Sequence, residues 1–77
     1  MKEKIREILV DIRPEYDFAG DENFVESGIL DSFDVLTLVT DLEEKFGVKI
    51  DGGDILPENF GSIEAIENLI VKSGAKA

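Results

Sequence analysis

The chain has 77 residues, a formal net charge of −10 at pH 7, and neither cysteine nor histidine. This length allows one domain, and the missing residue types exclude disulfides, thiolate or imidazole metal sites, cysteine nucleophiles and any histidine-based relay within the chain. No stretch is apolar over the roughly 20 residues that a membrane span needs, and no signal-peptide pattern is present, so we expect a cytoplasmic protein.

The negative charge is concentrated in the middle of the chain. Residues 14–71 contain fifteen acidic residues and two basic ones, whereas residues 1–13 contain four basic and three acidic residues. Such a middle segment repels a phosphate backbone, which argues against nucleic-acid binding. It would attract basic protein surfaces, although solubility alone would explain the same charge.

An amphipathic helix is predicted from Lys2 to about Arg13. Four apolar residues recur at intervals of three and four, which places them on one face of a helix: Ile5, Ile8, Leu9 and Ile12. Pro14 lacks an amide hydrogen and disfavours helical geometry in the residue before it, so the helix should end there.

A long irregular segment, Glu15 to Leu30, follows this helix. It contains loop-forming residues such as Gly20, Asp21 and Gly28, but aromatic residues also recur in it. A loop of this length is uncommon in a compact domain unless it is functional or packs on itself. We therefore expect the segment to lie against the body of the protein, with part of it able to form a short helical turn.

A second helix is predicted to start at Asp31 or Ser32 and to end at Gly47. Asp31 can act as the N-cap with Asp34 in the first turn, and both residues place negative charge at the positive end of the helix dipole. One apolar stripe at helical spacing should face the core: Val35, Leu38, Val39, Leu42 and Phe46.

A second line on the same helix combines Phe33, Leu36 and Thr40, which are also at helical spacing. It is surrounded by Thr37 and by acidic residues: Asp34, Asp41, Glu43 and Glu44. Solubility alone does not require an apolar line that is bordered by acidic residues. We interpret it as a surface that docks a partner.

The remaining chain predicts one short helical turn and a third main helix. Asp54–Leu56 can form the turn, which Pro57 would terminate, and Phe60 should anchor the core. Ser62 should cap the last helix, whose buried face comprises Ile63, Ile66, Leu69 and Ile70. The prediction is an all-α fold in a single domain (1–77): a small bundle of three main helices plus one short helix, with a long loop between the first and second helices.

Ser32 is the residue whose position most suggests a function. A serine near a helix N-terminus usually caps the helix, but Asp31 is already a competent cap. The helix N-terminus also offers free amide hydrogens and a positive dipole end, which suit a phosphate ester on the hydroxyl. Catalysis is disfavoured, because the chain has no histidine and Lys45 lies roughly 20 Å further along the helix. We interpret Ser32 as a residue that is modified, and we predict no catalytic residue.

The acidic loops do not predict a metal site. Neither Asp17 to Glu26 nor Asp51 to Asp54 has the ligand spacing of an EF-hand loop. Only weak, non-specific binding of divalent cations is expected from so acidic a surface.

The segment Leu30-Asp31-Ser32-Phe33 resembles the signature of the acyl carrier protein family, which includes the peptidyl and aminoacyl carrier proteins. In that family an Asp-Ser pair followed by a bulky apolar residue opens the second helix. The resemblance extends to Leu42-Glu43-Glu44-Lys45-Phe46, to Asn59-Phe60 before the last helix, and to the length of the chain. Phe33 stands where leucine or methionine is commoner, and residues 28–31 look more like those of stand-alone carriers from specialised pathways.

The resemblance implies that Ser32 receives a 4′-phosphopantetheine arm from coenzyme A, attached by a phosphopantetheinyl transferase that uses magnesium. The thiol of the arm would carry acyl or aminoacyl groups as thioesters to loading and condensing enzymes with basic docking surfaces, in fatty-acid or specialised-metabolite synthesis. A chain without cysteine can carry a thioester only on an imported thiol. The positions that match the family's partner-facing and acidic recognition surface are Asp31, Phe33, Asp34, Leu36, Thr40, Asp41, Glu43 and Glu44.

Two interpretations follow from the sequence. In the first, the protein is a monomeric, non-catalytic acyl carrier protein that is modified at Ser32. In the second, it is an unmodified acidic interaction module that docks a partner through Phe33 and Leu36. The first predicts a mass addition that Ser32→Ala blocks, and the second predicts partner binding that survives Ser32→Ala.

Overall fold

The computed structural model describes residues 1–18 and 23–75. It contains three α-helices: α1 (Lys2–Ile12), α2 (Ser32–Phe46) and α3 (Ile63–Lys72). Two short 3₁₀ turns, Gly52–Asp54 and Pro57–Asn59, lie between α2 and α3, and no strand occurs in the described ranges. The predicted all-α class is confirmed, and so is the long connection between the first two helices.

Helix α1 packs against both α2 and α3, so its apolar face lies at the centre of the protein. Ile5 and Leu9 are fully buried, Ile8 is nearly so, and Ile12 is partly buried. The helix ends where the sequence predicts, because the Arg13 amide donates the last helical hydrogen bond to the Leu9 carbonyl and Pro14 follows. This end of α1 places the Arg13 side chain beside the start of α2.

The loop before α2 packs through two aromatic residues. Phe18 and Phe24 are buried, and their rings meet edge to face with centroids 5.0 Å apart, whereas Tyr16 stays largely exposed. Part of the loop does form a helical turn, in which the Asn23 backbone carbonyl accepts from the Ser27 amide at 2.9 Å. Two of the predicted loop formers, Gly20 and Asp21, lie outside the described residues.

The same loop is attached to the start of α3. The Phe24 amide donates to the Gly61 carbonyl at 2.9 Å, and the Leu30 amide donates to the Phe24 carbonyl at 2.8 Å. Gly61 is buried, and a Cβ atom at this position would fall on the Asn23 side-chain amide, 2.8 Å from its Cγ. The loop thus connects the start of α2 to the start of α3.

The predicted short helical turn at Asp54–Leu56 is wrong. The first 3₁₀ turn already ends at Asp54, Ile55 and Leu56 lie between the two turns, and Pro57 begins the second turn instead of ending a preceding one. Proline is well accepted at the first position of a helical turn, because the amide hydrogen that it lacks would have no partner there. The Asn59 side chain donates to the Asp54 carbonyl at 2.7 Å and holds the two turns together.

The end of the chain follows the prediction. Phe60 is fully buried, and the Ser62 hydroxyl caps α3 by accepting from the Ala65 amide at 3.0 Å. Three of the four predicted core residues of α3 are buried, and Ile63 is partly buried. Lys72, at the end of α3, pairs with Asp54 at 2.9 Å and ties the 3₁₀ segment to this helix.

Candidate functional site at the start of helix α2

Two aspartates cap helix α2 reciprocally. The Asp31 carboxylate accepts from the Asp34 amide at 2.9 Å, and the Asp34 carboxylate accepts from the Asp31 amide at 3.1 Å. Each side chain satisfies a backbone donor that the first turn of a helix leaves without a partner. The prediction that Asp31 is the N-cap is confirmed.

Ser32 is the first residue of α2 and is exposed. Its hydroxyl makes no hydrogen bond to any residue in the described part of the chain, because Asp31 already provides the cap. The ordinary structural role of a serine near a helix start is therefore filled by its neighbour. The Ser32 oxygen remains accessible to a reacting partner.

Arg13 joins the two capping aspartates to the end of α1. Its Nε lies 2.8 Å and its Nη2 lies 2.7 Å from the same Asp34 carboxylate oxygen, and Nη2 also lies 3.4 Å from Asp31. Glu15 is a more distant fourth member, 3.9 Å from Nη1. The start of α2 is thus held by contacts across 21 residues of sequence as well as by its own turn.

The electrostatics of this cluster keep Asp34 ionised. Partial burial by itself would raise the pKa of the Asp34 carboxyl, but hydrogen bonds from the Asp31 amide and the Arg13 guanidinium hold that pKa below its ordinary value. The same carboxylate raises the pKa of Arg13. Both partners are therefore charged at neutral pH.

Helix α2 presents two large apolar side chains to solvent next to Ser32. Phe33 is 79% exposed and Leu36 is 57% exposed. Thr40, one turn further along the same line, is also exposed, and its hydroxyl donates to the Leu36 carbonyl at 3.2 Å. Exposed apolar side chains bordered by charged residues are typical of a surface that binds another protein.

The acidic residues predicted to border this surface differ in their availability. Asp41 and Glu44 have no hydrogen bond or ion pair with another described residue, and Glu44 is exposed. Glu43, by contrast, accepts from the Ile50 amide at 2.8 Å and is partly buried. Asp34 is held by Arg13, and Asp31 is exposed although its carboxylate caps the helix.

An open groove of about 570 Å³ lies beside Ser32. Ser32 and Asp31 are among the residues that line it, and its apolar walls come from three parts of the chain: the end of the long loop, α2 and the 3₁₀ segment. These walls include Val35 and Leu36 of α2 and Ile55, Leu56 and Pro57 of the 3₁₀ segment. Leu56 is 41% exposed, so the groove presents apolar surface to solvent immediately next to the hydroxyl.

Sequence reasoning did not identify Arg13 or Leu56 as part of this site. One feature of the sequence could have indicated Arg13: it is a basic residue directly before residues 14–71, which contain most of the acidic residues. Leu56 has no such feature, because a single leucine before a proline is equally typical of a core residue. Among the described residues, no group of acidic side chains is placed to hold a metal ion, and no helix is long and apolar enough to cross a membrane.

Comparison with protein families gives one match. The family described as "Phosphopantetheine attachment site" matches residues 3–70, which include α1, the long loop, α2, both 3₁₀ turns and most of α3. No curated protein and no solved structure matches the chain.

Proposed function

The chain belongs to the phosphopantetheine attachment-site family, and from this membership we propose that Ser32 is the residue that bears the 4′-phosphopantetheine arm. The family is defined by covalent attachment of this group, so the protein is a phosphopantetheine-carrying carrier protein. The observation that carries the assignment to Ser32 is its exposed hydroxyl, which has no hydrogen-bond partner among the described residues, since Asp31 caps the helix.

The surroundings of Ser32 fit such a group. The amides of Ser32 and Phe33 open α2 and point out of its first turn, where a helix start favours a negatively charged phosphodiester. The apolar groove formed with Ile55, Leu56 and Pro57 begins at the same place and offers contact surface to the uncharged part of an arm. When bound, the group supplies a thiol on which acyl or aminoacyl chains are held as thioesters.

The modification itself is a phosphoryl transfer to an alcohol. The Ser32 Oγ forms a bond to the phosphorus that bears the pantetheine, and the bond from that phosphorus to the remaining half of coenzyme A, adenosine 3′,5′-bisphosphate, breaks. The proton of the hydroxyl passes to a base on the phosphopantetheinyl transferase, because this chain has no histidine and its α2 lysine, Lys45, lies at the opposite end of the helix. The carrier is thus the acceptor in this reaction and not its catalyst.

Helix α2 would dock the transferase and the enzymes that load and use the cargo. Phe33 and Leu36 supply apolar contacts, and Thr40, Asp41 and Glu44 extend the surface along the exposed side of the helix. Interfaces of this kind commonly place aromatic residues in their core and charged residues around it. Basic partner surfaces would also associate faster with so acidic a protein. The cargo classes that fit this proposal are acyl and aminoacyl groups of fatty-acid or specialised-metabolite synthesis.

The proposal is tested by intact-mass spectrometry after incubation with coenzyme A, magnesium and phosphopantetheinyl transferases of broad substrate range. The wild-type chain should gain the mass of one phosphopantetheinyl group, and Ser32→Ala should gain none. Ser27→Ala is the matched control, because Ser27 is an exposed serine five residues before Ser32 and its hydroxyl donates to the Asn23 carbonyl. Loss of the addition in the Ser27 variant but not in the Ser32 variant would contradict the assignment.

The exposure of Phe33 and Leu36 also supports a second function, that of an unmodified acidic interaction module. The two proposals differ in what Ser32→Ala does. Partner binding by the module would be unchanged in this variant, whereas cargo delivery by the carrier would be abolished. A wild-type protein that gains no phosphopantetheinyl group with any transferase would favour the module.

A further inference from the structure

The contacts of Arg13 assign it a role in the chemistry at Ser32, although it lies on another helix. We propose that Arg13 is a positioning residue for the modification of Ser32: its guanidinium holds the two capping aspartates of α2 against the end of α1 and thereby fixes the orientation of the Ser32 hydroxyl. This inference rests on the proposed function of Ser32. The sequence signature around Ser32 does not include Arg13.

The anchor of this contact is well fixed. The Arg13 amide is bonded to the carbonyl of Leu9, which is fully buried, and the Arg13 carbonyl accepts from the Tyr16 amide at 3.1 Å. Pro14 restricts the backbone immediately after it. The Arg13 side chain is 33% exposed, and the backbone from which it extends is held by hydrogen bonds on both sides.

The other side of the contact surrounds Ser32 in the sequence. Asp31 precedes Ser32 directly and Asp34 follows two residues later, and each caps the backbone amide of the other. Arg13 donates through Nε to Asp34 and through Nη2 to Asp31, and Nη2 also pairs with the Asp34 carboxylate at 2.7 Å. A planar guanidinium with several donors fits such an arrangement, whereas an ammonium group offers a single point charge. The Ser32 backbone is therefore held on both sides.

Partial burial strengthens this contact. The Asp34 side chain is only 15% exposed, so its carboxylate is poorly solvated and interacts more strongly with a nearby cation than a surface carboxylate would. Without Arg13, the Asp34 carboxylate would lose the only cation that it contacts in the described part of the chain. It would then turn outward to water and weaken the cap, which would let the first turn of α2 and the Ser32 hydroxyl move.

A positioning role and a purely electrostatic role predict opposite effects. Removal of Arg13 makes an already acidic protein more acidic, which should favour association with a basic transferase and lower KM. Loss of orientation should instead lower kcat, because a transferring group must be aligned with its acceptor. Measurement of both kcat and KM therefore distinguishes the positioning role from the electrostatic role. Ionic strength gives a second distinction, because salt screens only the electrostatic effect.

The test measures phosphopantetheinyl transfer to wild-type protein, Arg13→Gln and Arg6→Gln. Arg6 is the matched control: it is an arginine of helix α1 whose Nε donates to the Asp17 carbonyl, and its replacement removes the same charge. We expect kcat to fall about tenfold for Arg13→Gln with no rise in KM, at low and at high salt. Arg6→Gln should keep the wild-type kcat.

Two further variants keep the result interpretable if Arg13→Gln is unstable. Arg13→Lys keeps the charge but not the paired donors, so it should restore kcat only in part. Asp34→Asn keeps an oxygen for the Asp31 amide and removes the charge that Arg13 contacts. It should lower kcat as well, and Arg13→Gln should add little in its background.

Hydrogen exchange supplies a readout that does not depend on the transferase. The Asp34 amide, which donates to the Asp31 carboxylate, should exchange faster in Arg13→Gln than in the wild type. An unchanged kcat in both Arg13→Gln and Asp34→Asn, with wild-type protein modified normally, would overturn the inference. A wild-type protein that is not modified at Ser32 would instead overturn the proposed function, so the two failures are distinguishable.

Discussion

At the scale of single residues, the site depends on a division of roles among three consecutive positions. Asp31 caps the helix, Ser32 is left with an accessible hydroxyl, and Phe33 projects its ring into solvent. A serine in the place of Asp31 would itself be needed as a cap, and its oxygen would be occupied. The position next to a strong cap is therefore where a reactive hydroxyl can lie at a helix start without a structural role.

The acidic residues of α2 also divide into two kinds. Glu43 accepts a hydrogen bond from the Ile50 amide and closes the connection after the helix, whereas the neighbouring Glu44 is exposed and has no partner among the described residues. Both match the recognition surface by sequence alone. Of these two glutamates, Glu44 is the one that can be replaced without loss of a contact to another described residue.

We predict that Glu44→Lys slows modification by the transferase without changing stability. At low ionic strength kcat/KM should fall several-fold, because a repulsive charge replaces an attractive one on the docking surface, and the effect should shrink as salt is added. Steady-state kinetics at two ionic strengths would measure this. Glu7→Lys, which makes the same change on an exposed position of α1, should have a smaller effect. Equal effects of the two variants would show that overall charge, and not the α2 surface, governs association.

At the scale of elements, the long loop is a structural part of the site and not merely a connection. Its turn is held by the Asn23 side chain, which accepts from the Val25 and Glu26 amides at 3.0 and 2.9 Å. Phe24 then bonds to the Gly61 carbonyl just before α3. This junction sets the position of residues 25–31, which form one wall of the groove and lead directly into Ser32.

We predict that Gly61→Ala lowers the free energy of unfolding by about 1–3 kcal/mol, because a methyl group would collide with an Asn23 side chain that its own hydrogen bonds hold in place. Thermal or denaturant unfolding followed by circular dichroism measures this.

Gly52→Ala is the control for this prediction. Gly52 has no atom within 4 Å of an added Cβ and does not have a positive φ. Its replacement should change stability little. A Gly61→Ala variant as stable as Gly52→Ala would mean that Asn23 is not fixed in the protein.

At the scale of the whole molecule, charge repulsion opposes folding. The net charge of −10 is confined to 77 residues, and residues 14–71 contain nearly all of the acid. The described part of the chain contains few ion pairs, and a long one with an exposed lysine, such as Lys2 with Glu67 at 3.9 Å, contributes little to stability. Repulsion among unpaired carboxylates should therefore outweigh attraction.

We predict that salt stabilises the protein. The unfolding temperature at neutral pH should rise by a few degrees between low ionic strength and about 0.15 M salt, because screening weakens the net repulsion more than it weakens the few ion pairs. Differential scanning calorimetry would measure the shift, and sodium and tetramethylammonium chlorides should act alike. A fall in unfolding temperature with salt would show that ion pairs such as the one between Arg13 and Asp34 dominate instead.

Much of the fold and part of the site follow from local sequence. The three helices, the Asp31 cap, the Ser62 cap and the glycine that ends α2 at a φ of 65° are all determined by residues within about one turn of each other. The prediction at Asp54–Leu56 was wrong for a local reason, since proline can begin a helical turn as well as end one. Ser32 was identified because its neighbours made a structural role unnecessary.

What the sequence determined by itself was the all-α class, the apolar face of each helix and the serine at the start of α2, since spacing and capping depend on near neighbours alone. Only the tertiary structure decided which distant groups meet: Arg13 with Asp34, Phe24 with Gly61, and Leu56 with the groove beside Ser32. A pattern of period 3.6 records which side of a helix is buried, but not which partner covers it. The contacts that hold the start of α2 in place are therefore set by how the chain folds back on itself.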